Sequence, residues 1–307
     1  MGVLLRLIWT RYCFEREYFK AKNLLGITVL FTVFVILLPD PAALAHRSVW
    51  VAASRSHGDD VRNYAVTSSE DFQASLNNAN PGDTITLQSG AVLRGNFFLP
   101  EKRTALSGWI TIRSSAASES LPEDLRATPD YAFAMARIES PNSQPALSTR
   151  RGAHHYRFEG IEFTIAPEVM LNYGIVRLGE GTEAEAELLP HHLVFDHCYI
   201  HGHRTADVSR GIALNSASTD ILNSYISDCH GLGFDTQAIA GWNGPGPFRI
   251  INNYLEAAGE NVLFGGADPR ISDLVPSDIE FRNNHCAKPL SWQEGILRKP
   301  AGVVVEG

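Results

Sequence analysis

A short phrase recurs five times between residues 156 and 286, and it constrains the fold more than any other feature of the chain. Each copy opens with a large apolar residue, and a second apolar or thiol residue follows five positions later. The opening residues are Phe158, Phe195, Ile221, Ile250 and Phe281. Successive copies begin 26 to 37 residues apart. This spacing is too irregular for a helical array, but it is natural for stacked coils joined by loops of different lengths.

The phrase predicts strands rather than helices. Alternating apolar residues over short segments, interrupted by Asn, Gly and Ser, are typical of strands that bury one face. One unit is too small to bury that face alone, so neighbouring units must stack in register. The middle positions of the phrase would then form a column at a turn, made of Ile161, Cys198, Ser224, Asn253 and Asn284.

A second phrase follows the first in four units, so each coil carries at least two strands. Its copies are Gly174-Ile175-Val176, Gly211-Ile212-Ala213, Gly233-Phe234-Asp235 and Asn261-Val262-Leu263. With both phrases, residues 65 to 295 resemble the pectin-lyase-like superfamily. The resemblance implies an all-β fold, a single-stranded right-handed parallel β-helix. Segments 79–87, 109–113 and 160–163 are most similar to the alginate lyase and chondroitinase B branch.

The first 45 residues have the pattern of an exported precursor. Five Lys or Arg residues precede an apolar run from Leu24 to Leu38, and Ala43 and Ala45 supply the small residues that a signal peptidase requires. The pattern predicts cleavage near His46 and a secreted or cell-envelope location. An uncleaved anchor is the alternative, although a membrane span needs about 20 apolar residues. Any membrane contact would then involve this segment alone.

The sequence predicts three parts, namely a signal peptide or anchor at 1–45, a linker at 46–64 and a β-helix at 65–307. Residues 68–77 carry Phe72 and Leu76 four positions apart, which predicts a short helix that caps the open edge of the first coil. No comparable cap is visible at the other end, where 303–305 is a possible last strand. Either residues 291–307 cover this edge or the C-terminus is shortened, and the second alternative is slightly favoured.

The charge of the chain argues against nucleic acid as a partner. The formal net charge is −8 at pH 7, and removing residues 1–45 takes away five basic and three acidic residues, which leaves −10. Binding to phosphate backbones requires clustered cations. The expected partner is a polysaccharide, and an acidic chain needs Ca²⁺ or a local basic patch to hold a polyuronate. The oligomeric state stays open.

Three cysteines remain after the expected cleavage, and the repeat places two of them inside the coil. Cys198 and Cys286 stand at repeat positions that should face inward, and Cys229 is the third. Buried thiols that pack as small apolar groups are therefore expected, rather than a disulfide scaffold.

Ionisable residues concentrate between residues 196 and 270, on one side of the predicted solenoid. Alternation about Phe234 and Thr236 should send Asp235 outward, and alternation about Ile212 and Leu214 should do the same for Asn215. The candidate catalytic residues are Asp235, His230, Asp207 and Arg210. The candidate substrate-binding residues are Asn215, Trp242 and Arg270. Asp228 and Asp235 are candidate ligands for Ca²⁺, the one cofactor that the sequence suggests.

Each candidate also has a simpler explanation. Asp and His in coil turns often serve only to satisfy backbone groups. His201 and His203 lack a fixed third ligand for a metal, and Trp242 could equally cover the core. In the branch that the sequence resembles, the catalytic base is a Lys and Arg pair, and the motifs that carry this pair have no counterpart here.

Two functional hypotheses therefore stand side by side. The first is an exported β-helix protein that acts on polysaccharide. Within this hypothesis a lyase is favoured over a glycoside hydrolase. The second is a non-catalytic β-helix that binds glycan or serves as a cell-surface structural element. Fold resemblance favours the first, and the residues themselves are neutral.

Overall fold

The computed structural model describes residues 61–102, 107–122 and 125–292, and they form a parallel β-helix. The leading segment 1–45 and the possible strand at 303–305 lie outside these residues. Among the described helices, none has the length and apolar character that crossing a membrane requires. Strands in parallel sheets dominate, so the predicted all-β fold is confirmed.

Three long parallel sheets, called A, B and C here, run along the axis of the coil. Sheet A consists of Asn63–Val66, Thr84–Leu87, Ile110–Ser114, His154–Glu159, His191–Asp196, Ala217–Leu222, Gly246–Ile251 and Ile279–Arg282. Sheet B consists of Val92–Arg94, Ala136–Ser140, Ile161–Ile165, Tyr199–His201, Tyr225–Cys229, Tyr254–Ala257 and His285–Ala287. Sheet C consists of Phe97–Leu99, Leu147–Thr149, Val176–Leu178, Arg210–Leu214, Gln237–Gly241 and Glu260–Phe264.

Each turn of the coil passes from sheet A to B to C, and crossovers between parallel strands are right-handed as a rule. Leu171–Asn172 and Asp207–Val208 form a short additional pair. Within the described residues, helix is limited to Ser69–Asn78 and Ala117–Ser120, with 3-10 turns at Pro129–Ala134, Ala186–Leu188 and Leu290–Trp292.

The predicted capping helix is present at Ser69–Asn78. Its N-cap is Ser68, whose Oγ accepts a hydrogen bond from the amide of Asp71 at 3.2 Å. Phe72 is fully buried, and its ring meets that of Phe97 in the first coil at a centroid distance of 4.9 Å. The helix therefore packs its apolar face against the first coil.

The interior column on sheet A has the predicted register. Phe195 pairs with Phe158 and Ile221, and Ile250 pairs with Ile221 and Phe281. The first four of these side chains are fully buried, whereas Phe281 is 46% exposed. The prediction that Phe281 lies in the interior is therefore wrong, because it belongs to the last described coil and has a partner strand on one side only within the described residues.

The burial of the cysteines also depends on the coil to which they belong. All three are free thiols, with Cys198 and Cys229 buried and Cys286 exposed. The expected burial of Cys286 is wrong, because it stands on the same last described coil. Burial raises the pKa of the Cys198 and Cys229 thiols, so both remain protonated and unreactive.

A ladder of side chains holds the turn between sheets A and B. Ser224 Oγ accepts from the amide of Cys198 at 3.0 Å, and Asn253 Oδ1 accepts from the amide of Ser224 at 2.8 Å. Asn284 Oδ1 accepts from the amide of Asn253 at 2.8 Å. A buried amide left without a partner would cost about 1–3 kcal/mol. The predicted column of small and polar residues is therefore confirmed, and it locks neighbouring coils together.

The outer side of the same turn is covered by residues 115–122 and 125–134, called the covering segment here. Arg126 donates to the carbonyl oxygens of Asn252 at 3.2 Å and Asn283 at 2.9 Å, and the amide of Ala127 donates to Asn223 O at 2.8 Å. These asparagines have positive φ angles of 48–58°, a conformation that Asn tolerates better than most residues. The segment therefore supplies donors to carbonyl groups that the coil leaves unpaired.

His197 ties the covering segment to the coil. Its Nδ1 lies 2.8 Å from Asp196 Oδ1, and its Nε2 lies 3.0 Å from the carbonyl oxygen of Pro122. Both partners only accept, so the ring must donate twice, as the imidazolium does. Burial alone would lower the pKa of His197, but the bonds to Asp196 and Pro122 outweigh it and raise the pKa above its usual value.

We expect Ile250→Asp to unfold the domain. Ile250 is fully buried in the interior column, and an unpaired buried carboxylate costs several kcal/mol against a total stability of about 5–15 kcal/mol. Far-ultraviolet circular dichroism and thermal melting measure the effect. Val275→Asp is the matched control, since Val275 is 73% exposed. A soluble Ile250→Asp protein that melts as the parent does would contradict the register.

We also expect the stability to depend on the protonation of His197. A raised folded-state pKa means that the stabilisation is fully present below about pH 6.5, the ordinary histidine pKa, and is lost as the pH rises through the folded-state pKa. Burial opposes ionisation of Asp196, but its hydrogen bonds to His197 and Asn223 lower its pKa, so it stays charged in this range.

The matched variant is His197→Asn, because Asn occupies the equivalent turn position at Asn223 and Asn252 and tolerates the left-handed backbone. The free energy of unfolding is measured by urea titration between pH 5 and pH 9. The difference between parent and variant should shrink as the pH rises. A difference that stays constant over this range would show that the imidazolium does not stabilise the turn.

Candidate functional site

The outer face of sheet C carries a cation at the start of the strand Arg210–Leu214. A Cβ atom on Gly211 would touch the side chains of Ile226 and Cys229, so Gly211 faces the core. Arg210, the residue before it, faces outward and stands in register with Gln237, which pairs in turn with Glu260. Two small residues, Ala213 and Ala240, lie further along the same face.

Arg210 lies next to Trp242 on this face. The guanidinium carbon is 5.6 Å from the centre of the indole ring, and Trp242 Nε1 donates to Gly181 O at 3.3 Å. Both side chains are half-buried. Such a contact between a cation and an aromatic face contributes about 0.5–2 kcal/mol and holds the guanidinium in place.

The Arg210 guanidinium has no ion pair or hydrogen bond within the part of the chain that the structure describes, and its Nε atom is buried. Burial lowers the pKa of Arg210, and the carboxylate of Asp235 acts in the opposite direction. Because arginine stays charged at any physiological pH, the result is a positioned cation with unused donors. The structure thus brings together Arg210, Trp242 and Asp235, called the Arg210 site here.

Asp235 is exposed, as predicted, but the alternation that predicted it is wrong. Phe234 was expected in the interior, and it is half-exposed with its ring 6.1 Å from that of Tyr173. The strand begins only at Gln237, so residues 233–235 belong to a turn in which alternation does not apply. Ser209 Oγ donates to Asp235 O at 3.0 Å and fixes the backbone of this turn.

The expected outward projection of Asn215 is also wrong. Asn215 is 1% exposed, and its Oδ1 accepts from the backbone amides of Trp242 at 2.9 Å and Asn243 at 3.0 Å. These amides follow the end of a strand and need an acceptor, which Asn215 supplies. Its visible role is to position the Trp242 loop. Arg270 is exposed, and its amide donates to Asn243 Oδ1 at 2.9 Å, so it lies beside the same loop.

His230 and Asp207 are buried at the turn between sheets B and C. His230 is 1% exposed, and its ring packs edge-on against Trp292 at 5.5 Å. Burial lowers the pKa of His230, although Asp228 and Asp207 oppose the shift. Both His230 nitrogens and Asp207 Oδ1 lack hydrogen-bond partners within the described residues. Their catalytic roles stay predictions.

Calcium at Asp228 and Asp235 also stays a prediction. Among the described residues, the one group of three or more potential ligands within 4.8 Å of one another is His155, His191 and His192. The pair His201 and His203 does not converge, since His201 Nε2 lies 3.0 Å from Glu162 Oε1 and His203 Nε2 lies 3.0 Å from Val169 O.

The structure also contains two clusters of aromatic side chains that the sequence did not predict. Tyr199, Tyr225 and Tyr254 form a column on the outer face of sheet B, where Tyr225 stacks on Tyr254 and Tyr199 packs edge-on against Tyr225. Tyr254 OH donates to Glu256 Oε2 at 2.7 Å. Burial raises the pKa of Glu256, which favours its protonated form. The signal was present, because each tyrosine follows the middle residue of the repeated phrase. Four histidines on sheet A form the second cluster.

Comparison with known proteins supports no assignment to a family. No family model and no curated protein matches the chain. Among solved structures, an alginate lyase from Paenibacillus sp. str. FPU-7 is similar at 16% identity and a TM-score of 0.43, over 78% of this chain and 75% of that one. Pectate lyase Pel9A is similar at 13% identity and a TM-score of 0.34, over 73% of this chain and 59% of its own.

A PL6 family alginate lyase, AlyGC, is similar at 14% identity and a TM-score of 0.26, over 73% of this chain and 38% of its own. The chain therefore spans little more than half of Pel9A and less than half of AlyGC. At such identities the likeness concerns the fold, so function is inferred below from the side chains of this chain.

Proposed function

We propose that the protein is an exported β-helix that binds an acidic polysaccharide at the Arg210 site and acts on it as a lyase does. The observation that carries the proposal is the Arg210 guanidinium, which is half-buried, packed on Trp242 and free of any hydrogen bond or ion pair in the described residues. A half-buried guanidinium that forms no ion pair or hydrogen bond with the described residues is suited to an anion from outside.

The chemistry of the site favours a uronic acid. A guanidinium presents parallel N–H donors that match a carboxylate, and an indole offers an apolar face to a sugar ring. The chain as a whole carries a net charge of −8, so long-range attraction would not bring a polyanion to it. A local cation is therefore required, and Arg210 supplies it.

A second cation supports the same substrate class. Arg177 stands on the neighbouring strand of sheet C, in register with Ala213, and pairs with Glu180 at 3.2 Å. Neighbouring strands lie about 4.8 Å apart, so both guanidinium groups serve one face of the coil. This arrangement suits a chain of repeated acidic sugars better than a single neutral sugar.

Elimination from a uronic acid needs a cation that neutralises the sugar carboxylate and a base that removes the neighbouring proton. Arg210 fits the first role, because its donors strengthen as negative charge develops on the carboxylate. Asp235 is the candidate base, since it is exposed and electrostatically coupled to Arg210. A glycan-binding protein without catalysis would use Arg210 in the same way and would not need Asp235 as a base.

We expect Arg210→Gln to weaken binding of polygalacturonate or alginate by about 10- to 100-fold. Hydrogen bonds to a charged group contribute about 1.5–3 kcal/mol, and each 1.4 kcal/mol is tenfold in affinity. Thermal stability should fall only slightly, because Arg210 loses its contact with Trp242, worth about 0.5–2 kcal/mol, and no ion pair or hydrogen bond within the described residues. Isothermal titration calorimetry against uronate polymers, with a neutral glucan as the reference ligand, measures the change.

Arg249→Gln is the matched control for Arg210→Gln. It removes the same charge from sheet A, where Arg249 is engaged by Asp220 at 3.0 Å and Glu280 at 3.3 Å. This control should bind uronate polymers as the parent does. Equal affinity of parent and Arg210→Gln, or an equal loss in both variants, would remove the Arg210 site from the account.

We expect Asp235→Asn to distinguish a lyase from a non-catalytic glycan-binding protein. If Asp235 is the base, turnover should fall by at least about 100-fold while stability stays nearly unchanged, because the side chain is exposed. The measurement is the release of unsaturated ends from uronate polymers, with and without Ca²⁺. A parent that binds uronates but releases neither unsaturated nor reducing ends would establish the binding function instead.

A further inference from the structure

Two histidine dipeptides, His154-His155 and His191-His192, stand side by side on sheet A. They lie 37 residues apart, the same interval that separates Phe158 from Phe195 in the repeat. Accordingly, His154 pairs directly with His191 on neighbouring strands. We call these four residues the histidine cluster. It occupies sheet A and shares no residue with the Arg210 site on sheet C.

The backbone presents both members of each dipeptide on one side. His155 and His192 have positive φ angles of 59° and 52°, and they fall between the paired positions of their strands. Successive residues of a regular strand point to opposite faces, and a bulge of this kind abolishes that alternation. Ser218 has the same conformation in the next coil, with φ 44°, so the bulge belongs to the coil and the histidines occupy it.

The four imidazole rings pack against one another. His154 stacks on His191 at a centroid distance of 5.0 Å, and His155 stacks on His192 at 4.7 Å. Within each dipeptide the two Nδ1 atoms are 2.8 Å and 2.6 Å apart. The potential ligand nitrogens of His155, His191 and His192 all lie within 4.8 Å of one another.

These distances fit a single metal ion. Tetrahedral zinc with Zn–N bonds of about 2.0–2.1 Å places neighbouring ligand nitrogens about 3.3 Å apart. In the cluster, the Nδ1 atoms of His191 and His192 are 2.6 Å apart, and no pair of ligand nitrogens among His155, His191 and His192 is separated by more than 4.8 Å, so this spacing falls within the observed range. The histidine cluster is accessible to solvent, because His192 is exposed and the other three histidines are half-buried. On one side of the cluster, the ring of Trp109 packs on that of His155 at a centroid distance of 5.5 Å.

The type of ligand atom favours a transition metal. Imidazole nitrogen suits zinc, copper and nickel, whereas calcium prefers oxygen ligands.

We propose that the histidine cluster is a binding site for one divalent transition-metal ion, and that this ion is zinc. His155, His191 and His192 each contribute one imidazole nitrogen, and the fourth position is open to water. His154 orients His155 through their Nδ1 contact and stacks on His191, as outer partners of metal ligands commonly do.

The test is zinc binding by the full chain, prepared without a histidine tag. Equilibrium dialysis followed by metal analysis should find about one zinc per chain at pH 7.5, and calorimetry should give its affinity. Cobalt substitution provides a second readout, because tetrahedral Co²⁺ absorbs strongly in the visible range. Zinc should also raise the melting temperature, since it binds the folded chain.

The variants are His155→Asn, His192→Asn and the double substitution, since asparagine tolerates the left-handed backbone of both positions. Each single change should weaken zinc binding at least 10-fold, and the double change should abolish it and the cobalt spectrum. His285→Asn, an exposed histidine on sheet B, is the control and should bind as the parent does.

Circular dichroism and melting of each variant without metal verify folding. A parent that binds no zinc, cobalt or nickel at micromolar concentrations would overturn the proposal, and the cluster would then be a stacking ladder only. A folded double variant that binds zinc as the parent does would overturn it equally. Neither outcome bears on uronate binding by Arg210, which is measured separately.

Discussion

The structure depends on the register between neighbouring coils, which is fixed by two sets of contacts at the end of sheet A. Apolar side chains such as Phe195 and Ile221 stack in the interior, and Ser224 and Asn253 bond the amides of the preceding coil. A slip of one residue would turn the apolar column outward and leave those amides unpaired. Both penalties act together at each coil, so the register is strongly specified.

A fixed register makes every outward residue part of a column. The tyrosines of sheet B, the histidine dipeptides of sheet A and the series Arg210, Gln237 and Glu260 on sheet C all arise in this way. Residues that are 23 to 37 positions apart in sequence thus come within about 5 Å of each other. A functional site on this fold therefore requires a column whose polar side chains are not already engaged in structural hydrogen bonds.

Hydrogen bonding separates the scaffold from the candidate sites. At the turn between sheets A and B, amides and carbonyls find partners in the asparagine ladder and in Arg126 of the covering segment. On the other side, Arg210, His230 and Asp207 carry buried polar atoms without partners in the described residues. Unsatisfied groups are costly, so an external ligand that bonded to them would be stabilising.

The sequence by itself determined the parallel β-helix, the interior column and the turn ladder, because all three repeat along the chain and burial of one face leaves few alternatives. It also placed Arg210, Trp242 and Asp235 on one side. It did not determine the orientation of Asn215 and Phe234, which lie where strands end and alternation no longer holds. Only the tertiary structure decided these two orientations. Asn215 turns inward because its Oδ1 accepts a hydrogen bond from the amide of Trp242. Only the tertiary structure, too, joined four histidines into one cluster, because a bulge in each strand turns both rings of a dipeptide to the same side.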